Sequence, residues 1–337
     1  MESRKIGTLE VSPIGLGCMN MSGGYGRGDD KTSTRLLNEA LDIGYRFLDT
    51  ATVYGGGHNE TLIGNALKTR RNEYVLASKC GLFRDENGKS TIDGRPETIR
   101  RQCEASLKRL QTDVIDLYYL HRLDSNVPVE ESVGALGRLV EDGKVREIGL
   151  SEISSDTLIR AHKVHRIGAV QSEYSLWSRT PETKMLDTCE SLGVAFVPFS
   201  PLGRQFLTGK AIDLTHLPST DIRTSNASPR FEPEAFAQNS KLLIPFSKLA
   251  RDLNCTMAQL AIAWLLAQQN KAGNQTLIPI PGTKHIDYMK ENAGAANLKL
   301  TPDTVELLNQ MINEESVVGN RYNAALMASI DSEKDRS

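Results

Sequence analysis

Eight short apolar runs alternate with amphipathic stretches along this chain, and this alternation constrains the fold more than any other feature. Most of the runs are rich in Val, Ile and Leu, as strands buried on both faces of a parallel sheet are. Eight strand–helix units in 337 residues predict an α/β fold, the (β/α)8 TIM barrel. The predicted strands are Ile14–Met19, Arg46–Thr50, Val75–Lys79, Ile115–His121, Glu147–Ser151, Ala169–Tyr174, Ala195–Ser200 and Thr276–Pro281.

Stretches with helical spacing follow these strands. Pro96 lies just inside one predicted helix, and Gly143 and Gly193 lie just past the ends of two others, where each residue is favoured. Further helix is predicted within 234–268. The other barrel helices are predicted near 36–43, 59–69, 95–110, 129–142, 154–164, 181–192 and 285–295.

Two additions flank the barrel pattern. Residues 4–12 predict an N-terminal hairpin, and residues 301–313 predict an extra C-terminal helix. We expect residues 1–320 to form a single domain, because no low-complexity linker divides them. The polar tail over 321–337 is expected to fray.

Charge and cysteine content exclude several classes of function. The 40 basic and 42 acidic residues leave a net charge of -2, which gives no electrostatic case for binding nucleic acid or a membrane surface. The five cysteines include no C-x-x-C pair, so we predict reduced core thiols and no metal site. No run approaches the roughly 18 apolar residues of a membrane span, and no leader pattern opens the chain. We therefore expect a soluble, cytoplasmic protein.

The ends of three consecutive predicted strands carry ionisable side chains. Asp49, Lys79 and His121 close the second, third and fourth strands, and Tyr54 follows Asp49 in its loop. In a TIM barrel these ends form the active-site face. Each residue alone has a structural interpretation. Asp49 could cap a loop and Lys79 could extend its amine to solvent, while His121 could be a core histidine and Tyr54 could simply pack its ring. Together on one face, they predict an acid/base site.

These four groups suit proton transfer to a carbonyl oxygen. A tyrosine is a weak acid, with a pKa of about 10, and a nearby ammonium group favours its phenolate. Asp49 would hold Lys79 in place, and His121 could donate a hydrogen bond to the oxygen where negative charge develops. The set has neither a nucleophile with its own base nor a metal cluster. It therefore needs a cofactor that brings electrons.

No dinucleotide or nucleotide fingerprint is complete. Gly15–Gly17 and Gly55–Gly57 both lack the third glycine of G-x-G-x-x-G, and Gly88–Ser90 is better interpreted as a turn than as a P-loop. We therefore expect barrel loops to bind the cofactor. Leu202–Arg204 offers a guanidinium to a pyrophosphate, and Pro281–Lys284 opens a helix whose N-terminus suits an anion. Lys284 is either a reader of a 2′-phosphate or a solvated loop charge.

Several motifs together are specific to one family. The chain resembles the aldo-keto reductases over nearly its whole length, and one further run, Val170–Arg179, resembles the branch of perakine-reductase-like and auxin-induced plant proteins and their bacterial relatives. The motifs that carry the family resemblance are Phe47–Ala51 with Tyr54-Gly, Leu76–Lys79, Asp113–His121, Gly143–Ser151 and Pro281–Thr283.

The resemblance implies an oxidoreductase that transfers hydride from NADPH to an aldehyde or ketone, reversibly, with Tyr54 as general acid assisted by Asp49, Lys79 and His121. An alternative is a cofactor-binding redox sensor or regulatory subunit, the role that potassium-channel β subunits show for this fold. By match, the cofactor-binding residues would be Ser151 and Gln171 at the carboxamide, Phe199 and Ser200 at the ring, Leu202, Gly203 and Arg204 at the pyrophosphate, and Gly282, Thr283, Lys284 and Asn292 at the adenosine phosphate.

Three positions depart from the family pattern. Glu152 stands where many members have Asn, Gln205 where Gly is usual, and Tyr288 where many have Arg. The last change leaves Lys284 as the main reader of the phosphate. Substrate choice would fall to the loops 19–28, 122–126 and 205–233. Their neighbouring aromatic residues, Tyr25 and Trp177, predict an apolar, aromatic or polycyclic carbonyl compound.

Overall fold

Seven short parallel strands form one sheet that curves around the centre of the molecule. The structure is a computed structural model that describes residues 2–26, 28–86, 88–225, 228–268 and 276–336. In order across this sheet, the strands are Leu16–Gly17, Phe47–Asp49, Val75–Cys80, Ile115–Leu120, Val145–Ser151, Ala169–Glu173 and Ala195–Phe199, so neighbours in the sheet follow one another in the chain. The strands are β1 Arg4–Ile6, β2 Leu9–Val11, β3 Leu16–Gly17, β4 Phe47–Asp49, β5 Val75–Cys80, β6 Leu82–Arg84, β7 Ser90–Ile92, β8 Ile115–Leu120, β9 Val145–Ser151, β10 Ala169–Glu173 and β11 Ala195–Phe199.

The predicted eighth strand, 276–281, closes the barrel between β11 and β3. The Ile278 and Ile280 N–H groups donate to the Phe196 and Pro198 carbonyls of β11, at 3.0 Å each. On the side that faces β3, the carbonyls of Pro279 and Pro281 accept from the N–H groups of Gly15 (2.9 Å) and Gly17 (3.3 Å). The two prolines have no N–H of their own to donate. The segment therefore joins the sheet through isolated bridges rather than a full ladder.

Helices cover the outside of the sheet. Asp29, Ser154 and Thr301 cap helix starts by accepting a hydrogen bond from a backbone N–H three residues on. Among the described residues, none of the helices combines the length and apolar character needed to cross a bilayer. The α-helices are α1 Asp30–Asp42, α2 His58–Leu67, α3 Pro96–Leu110, α4 Val129–Glu141, α5 Ser155–Val164, α6 Met185–Leu192, α7 Ile222–Ser225, α8 Ser228–Phe231, α9 Pro233–Ser240, α10 Leu243–Asp252, α11 Met257–Gln268, α12 Ile286–Gly294, α13 Pro302–Met311 and α14 Ala324–Ser329. The 3-10 helices are Met19–Met21, Tyr54–Gly57, Lys68–Glu73, Thr180–Glu182, Phe206–Thr208, Ala295–Asn297 and Asp331–Arg336.

The core has two layers, which follow from the alternation of side chains along each strand. On β8, Leu117 and Tyr119 point into the barrel, while Tyr118 and Leu120 pack against the helices. The predicted hairpin β1–β2 adds apolar side chains, including Ile6 and Val11, to the inner layer. The barrel interior is therefore filled, and a cleft forms at the ends of the strands.

Two local predictions differ from the structure. The first predicted barrel strand, Ile14–Met19, is reduced to β3, Leu16–Gly17. A Cβ at Gly17 would lie 2.8 Å from the Ile280 carbonyl oxygen, so only glycine fits where the chain passes the closing segment. The hairpin β6–β7 was not predicted, since three-residue strands carry little periodic signal. Its tip contains the turn expected near Gly88, whose N–H donates to Asp85 O at 2.9 Å.

The expectation that the C-terminal tail frays is wrong for residues 321–336. The Asp331 carboxylate accepts from Ser154 N at 2.8 Å, and the Asp335 carboxylate accepts from Ser155 N at 3.1 Å. Both N–H groups belong to the start of α5, so acidic side chains in the polar tail satisfy a helix N-terminus. These contacts account for acidic residues in a tail that packs against the protein. Within this tail, Ser337 lies outside the described residues.

Arg321 fixes the start of this C-terminal segment. Its side chain is 3% exposed and pairs with Glu152 (2.5 Å) and Glu333 (2.6 Å), and more distantly with Glu173 (3.5 Å). Burial by itself would raise the pKa of Glu152, but Arg321 outweighs it and lowers that pKa to about 2. Glu152, which stands where many family members have Asn, is thus the partner of Arg321 and holds the C-terminal segment in place.

This pairing predicts a loss of stability in acid. The folded pKa of about 2 lies below the ordinary value of 4.5, so the stabilisation is complete above pH 4.5 and disappears as the pH falls toward 2. The shift corresponds to about 3 kcal/mol. Urea unfolding of the wild type and Glu152→Gln should therefore give free energies that differ most near pH 7 and converge below pH 4.5. A difference that does not change with pH would contradict this assignment.

Candidate active site

The four residues predicted to form an acid/base site do converge at the carboxyl ends of the strands. Asp49 ends β4, Lys79 lies near the end of β5, and His121 directly follows β8. The Lys79 Nζ binds the Asp49 carboxylate, donates to Thr50 O at 2.8 Å, and lies 3.4 Å from Tyr54 Oη. The buried ammonium therefore joins the carboxylate and the phenol.

Tyr54 opens a 3-10 helix in which Gly55 and Gly56 have φ values of 60° and 63°. These left-handed conformations favour glycine and let the chain reverse directly after the tyrosine. The ring meets His121 edge to face, with centroids 5.9 Å apart. Burial raises the pKa of Tyr54, while the Lys79 charge opposes that rise. The phenol is thus protonated at neutral pH, and the ammonium stabilises the phenolate that forms when the proton leaves.

The pKa values of Lys79 and His121 shift in opposite directions, although burial lowers both. Burial alone would lower the pKa of Lys79, but the Asp49 and Tyr54 partners raise it overall, so the amine stays charged. Burial, followed by the charges of Arg122 and Lys79, holds the pKa of His121 well below its usual range. The imidazole is therefore neutral. Its buried Nδ1 has no hydrogen-bond partner among the described residues.

A cleft of about 1130 Å³ opens beside these groups. Two predicted site residues do not line it: Lys79 lies behind Asp49 and Tyr54, and Gly203 faces the core, where a Cβ would lie 2.9 Å from Trp177. The predicted residues that line the cleft are Asp49, Tyr54, His121, Ser151, Gln171, Phe199, Ser200, Leu202, Arg204, Gly282, Thr283, Lys284 and Asn292.

The charge of this cleft suits a phosphorylated cofactor. Its carboxylates are Asp49, which is paired with Lys79, and Glu291, which lies 3.5 Å from Lys210. Helix α12 also begins at the cleft, and its N-cap His285 supplies no side-chain hydrogen bond, so its first N–H groups are open to an anion. The cationic side chains that line the cleft are Arg84, Arg122, Arg204, Lys210, Arg223 and Lys284.

Comparisons with known proteins agree with this geometry. The profile of the Aldo/keto reductase family matches residues 13–313. The chain belongs to the aldo/keto reductase family. It is 41% identical over 322 residues to "Probable aldo-keto reductase 1" of Glycine max. This match covers 94% of this chain and 91% of that relative.

Two further relatives extend the comparison. This aldo/keto reductase is 40% identical over 326 residues to aldo-keto reductase yakc of Schizosaccharomyces pombe, whose name specifies NADP(+), with 95% and 94% of the two chains covered. Among solved structures, the glycerol dehydrogenase of Gluconobacter oxydans matches with a TM-score of 0.83 and 28% identity, covering 98% of this chain and 96% of that one.

Several of the residues predicted to bind the cofactor make side-chain contacts within the protein, and one of them, Gln171, contacts a predicted catalytic residue. The Gln171 amide donates to the Asp49 carboxylate at 2.8 Å, on the oxygen that Lys79 does not use. Ser151 Oγ lies 3.3 Å from Arg122 Nη1. Arg204 is buried and pairs with Glu173 at 2.8 Å, so its charge is already compensated within the protein.

Loops from opposite sides of the cleft meet at Lys284. Its Nζ donates to the carbonyls of Tyr25 (3.1 Å) and Gly26 (3.2 Å) in the loop after β3. The neighbouring Gly24 carbonyl accepts from Ile222 N of the loop after β11 at 3.0 Å. The prediction that Lys284 is simply a solvated loop charge is therefore wrong, because this ammonium bridges two loops.

One substrate-site prediction is wrong, and several residues that line the cleft, among them Arg84 and Tyr322, were not predicted. Trp177 is 3% exposed and packs against Phe206, with ring centroids 3.6 Å apart, rather than lining the cleft. Tyr25 does line it. Arg84, from the hairpin β6–β7, and Tyr322, from the C-terminal segment, also line it. No sequence pattern places either one there, because each arrives from an element outside the strand–helix repeat.

Proposed function

We propose that this protein reduces the carbonyl group of aldehydes or ketones with NADPH, and oxidises the corresponding alcohols in reverse, with Tyr54 as general acid. The chain is an oxidoreductase of the aldo/keto reductase family that uses NADP, as the name of its fission-yeast relative specifies for that protein. The observation that carries the proposal is the 3.4 Å contact of Tyr54 Oη with the buried Lys79 ammonium, at a cleft that Tyr54 and His121 both line.

NADPH, when bound, would supply the hydride for the carbonyl carbon. Tyr54 supplies the proton: its O–H bond breaks as the carbonyl oxygen gains hydrogen, so that an alcohol results and the tyrosine is left as phenolate. Lys79 stabilises that phenolate through its 3.4 Å contact, and Asp49 holds Lys79 in place. Solvent then returns a proton to Tyr54.

His121 stabilises the carbonyl oxygen during this step. Because its pKa is well below the usual range, it acts as a neutral hydrogen-bond donor and does not compete with Tyr54 as the acid. A neutral donor also leaves Tyr54 as the proton source. The two rings meet edge to face, which fixes their relative position.

The cofactor-binding roles follow the layout of the cleft. Ser151 and Gln171 would hold the nicotinamide carboxamide near Asp49, and Phe199 would stack on the ring. Leu202 and Arg204 would lie along the pyrophosphate. Thr283, Lys284 and Asn292 would bind the adenosine phosphate at the start of α12, where the open N–H groups and the ammonium favour negative charge.

Turnover with a panel of carbonyl compounds tests the proposed function. The full chain is mixed with NADPH and aliphatic, aromatic and charged aldehydes, and nicotinamide absorbance is followed. We expect NADPH to be oxidised with several of them. Binding of NADPH without turnover of any carbonyl would instead support the redox-sensor alternative.

Lys284→Ala should weaken NADPH binding much more than NADH binding. A lost charge-assisted hydrogen bond to the 2′-phosphate corresponds to roughly 1.5–3 kcal/mol, a tenfold to hundredfold change for NADPH only. Fluorescence titration of both cofactors measures this, with Lys290→Ala as control because Lys290 pairs with Glu39 at 2.7 Å away from the cleft lining. Equal weakening of both cofactors would mean that Lys284 acts only through its bridge to the loop at Tyr25.

A further inference from the structure

Arg122 is a cationic residue of the cleft. Its charge helps to lower the pKa of Glu152, but that carboxylate is paired with Arg321. Arg122 follows His121 at the end of β8, is half-buried and lines the cleft with Tyr54. Within the described parts of the chain, no carboxylate lies within ion-pair distance of its guanidinium. A half-buried charge without a partner is unfavourable unless a ligand supplies the counter-charge.

Three of the five other described Lys and Arg side chains that line the cleft are paired with carboxylates. Arg204 pairs with Glu173 at 2.8 Å, Arg223 pairs with Asp221 at 2.7 Å, and Lys210 lies 3.5 Å from Glu291. Lys284 bridges two loops at the proposed phosphate site, and Arg84 is exposed on the hairpin β6–β7. Among the described residues, Arg122 is therefore the half-buried guanidinium of the cleft that has no paired carboxylate.

The geometry of this guanidinium also indicates which anion it fits. Both of its hydrogen bonds use Nη1, which donates to His121 O at 2.7 Å and to Ser151 Oγ at 3.3 Å. These bonds fix the plane of the group and leave the edge formed by Nε and Nη2 without a partner among the described residues. Two parallel N–H donors on one edge match the two oxygens of a planar carboxylate.

We propose that Arg122 binds a carboxylate group of the substrate, so that this enzyme prefers aldehydes or ketones that carry a carboxylate over neutral carbonyl compounds. This inference rests on the proposed reduction of carbonyl groups. It revises the apolar, aromatic or polycyclic substrate predicted from Tyr25 and Trp177, because Trp177 is buried in the core while Tyr25 lines the cleft. Arg122 would hold the carboxylate while Tyr54 and His121 face the carbonyl oxygen.

The test compares two aldehydes of nearly the same shape, 4-formylbenzoate and its methyl ester. The kcat/KM for each is measured with saturating NADPH for the wild type, Arg122→Leu and Arg122→Lys. We expect the wild type to prefer the acid at least about tenfold, and Arg122→Leu to lower that ratio to about one, a change of about 1.4 kcal/mol. Arg122→Lys, which keeps the charge but not the two-donor edge, should give an intermediate ratio.

The ratio of kcat/KM for the acid to kcat/KM for the ester separates recognition of the carboxylate from a general loss of activity. Because Arg122 also contacts Ser151, its loss can lower both rates together, and the ester reports that part. Arg251→Leu, an exposed arginine on α10 outside the cleft lining, is the matched control and should keep the wild-type ratio. A wild-type ratio near one, or a ratio that Arg122→Leu leaves unchanged, would overturn the proposal.

Failure of the proposed function would look different, since neither aldehyde would be reduced. In that case, calorimetric titration of the NADP-loaded protein with benzoate still decides the role of Arg122. Binding that is at least about tenfold weaker in Arg122→Leu than in the wild type would support the carboxylate site. Equal binding to both, or no binding to the wild type, would overturn it.

Discussion

Replacing Tyr54 by phenylalanine is expected to lower kcat for aldehyde reduction by roughly a hundredfold to ten-thousandfold, the range typical of a lost general acid. The substitution removes one hydroxyl and leaves the ring against His121. Since the hydroxyl is the proton source and not a cofactor ligand, the dissociation constant of NADPH should change by less than about twofold. Stopped-flow turnover and fluorescence titration measure the two quantities separately.

Tyr74→Phe is the matched control for this experiment. Tyr74 is buried just before β5, outside the cleft lining, so the same loss of a hydroxyl there should leave kcat unchanged. If Tyr54→Phe loses NADPH affinity and turnover to the same extent, Tyr54 binds the cofactor and is not the acid.

Replacing Arg321 by methionine should destabilise the protein by about 3–5 kcal/mol, the loss typical when one partner of a buried ion pair is removed. Glu152 would remain fully buried without its main counter-charge, because Arg321 is the cation paired with it. Arg321 also stacks on Tyr322, with 5.0 Å between the guanidinium carbon and the ring, and Tyr322 lines the cleft. The variant should therefore raise KM for the carbonyl substrate as well.

Urea unfolding of the full chain at neutral pH measures the change in stability. Arg336→Met is the control, because Arg336 pairs with Glu333 at 35% side-chain exposure and should lose no more than about 1 kcal/mol. Adding Glu152→Gln to Arg321→Met should restore part of the stability, since the stranded charge is then removed. A loss no larger for Arg321→Met than for the control would show that the C-terminal segment does not depend on this pairing.

The convergence of the four proposed catalytic residues could be predicted because their positions follow from local sequence. Asp49, Lys79 and His121 each end an apolar run, and a TIM barrel brings such ends to one face regardless of which helices separate them. Tyr54 follows within one loop. The resemblance to a family then attached roles to these positions, and those roles remain predictions.

The residues that were missed depend on contacts between distant parts of the chain. Arg321 and Glu152 are 169 positions apart, and nothing in the composition of either segment indicates their pairing. Trp177 was misassigned because an aromatic residue near a loop can line a cleft or pack on other rings, as it does on Phe206 and Phe231. The closing segment was correctly located, but its prolines limit the ladder that it forms.

Transfer of a labelled hydride tests the central claim most directly. The full chain is incubated with an aldehyde and NADPH that carries deuterium at both C4 positions, and the alcohol product is examined by mass spectrometry and NMR. Our account predicts one deuterium on the carbinol carbon of every product molecule, formed by the wild type and nearly absent with Tyr54→Phe. Alcohol without deuterium, or no alcohol from any carbonyl compound while NADPH binds, would contradict it.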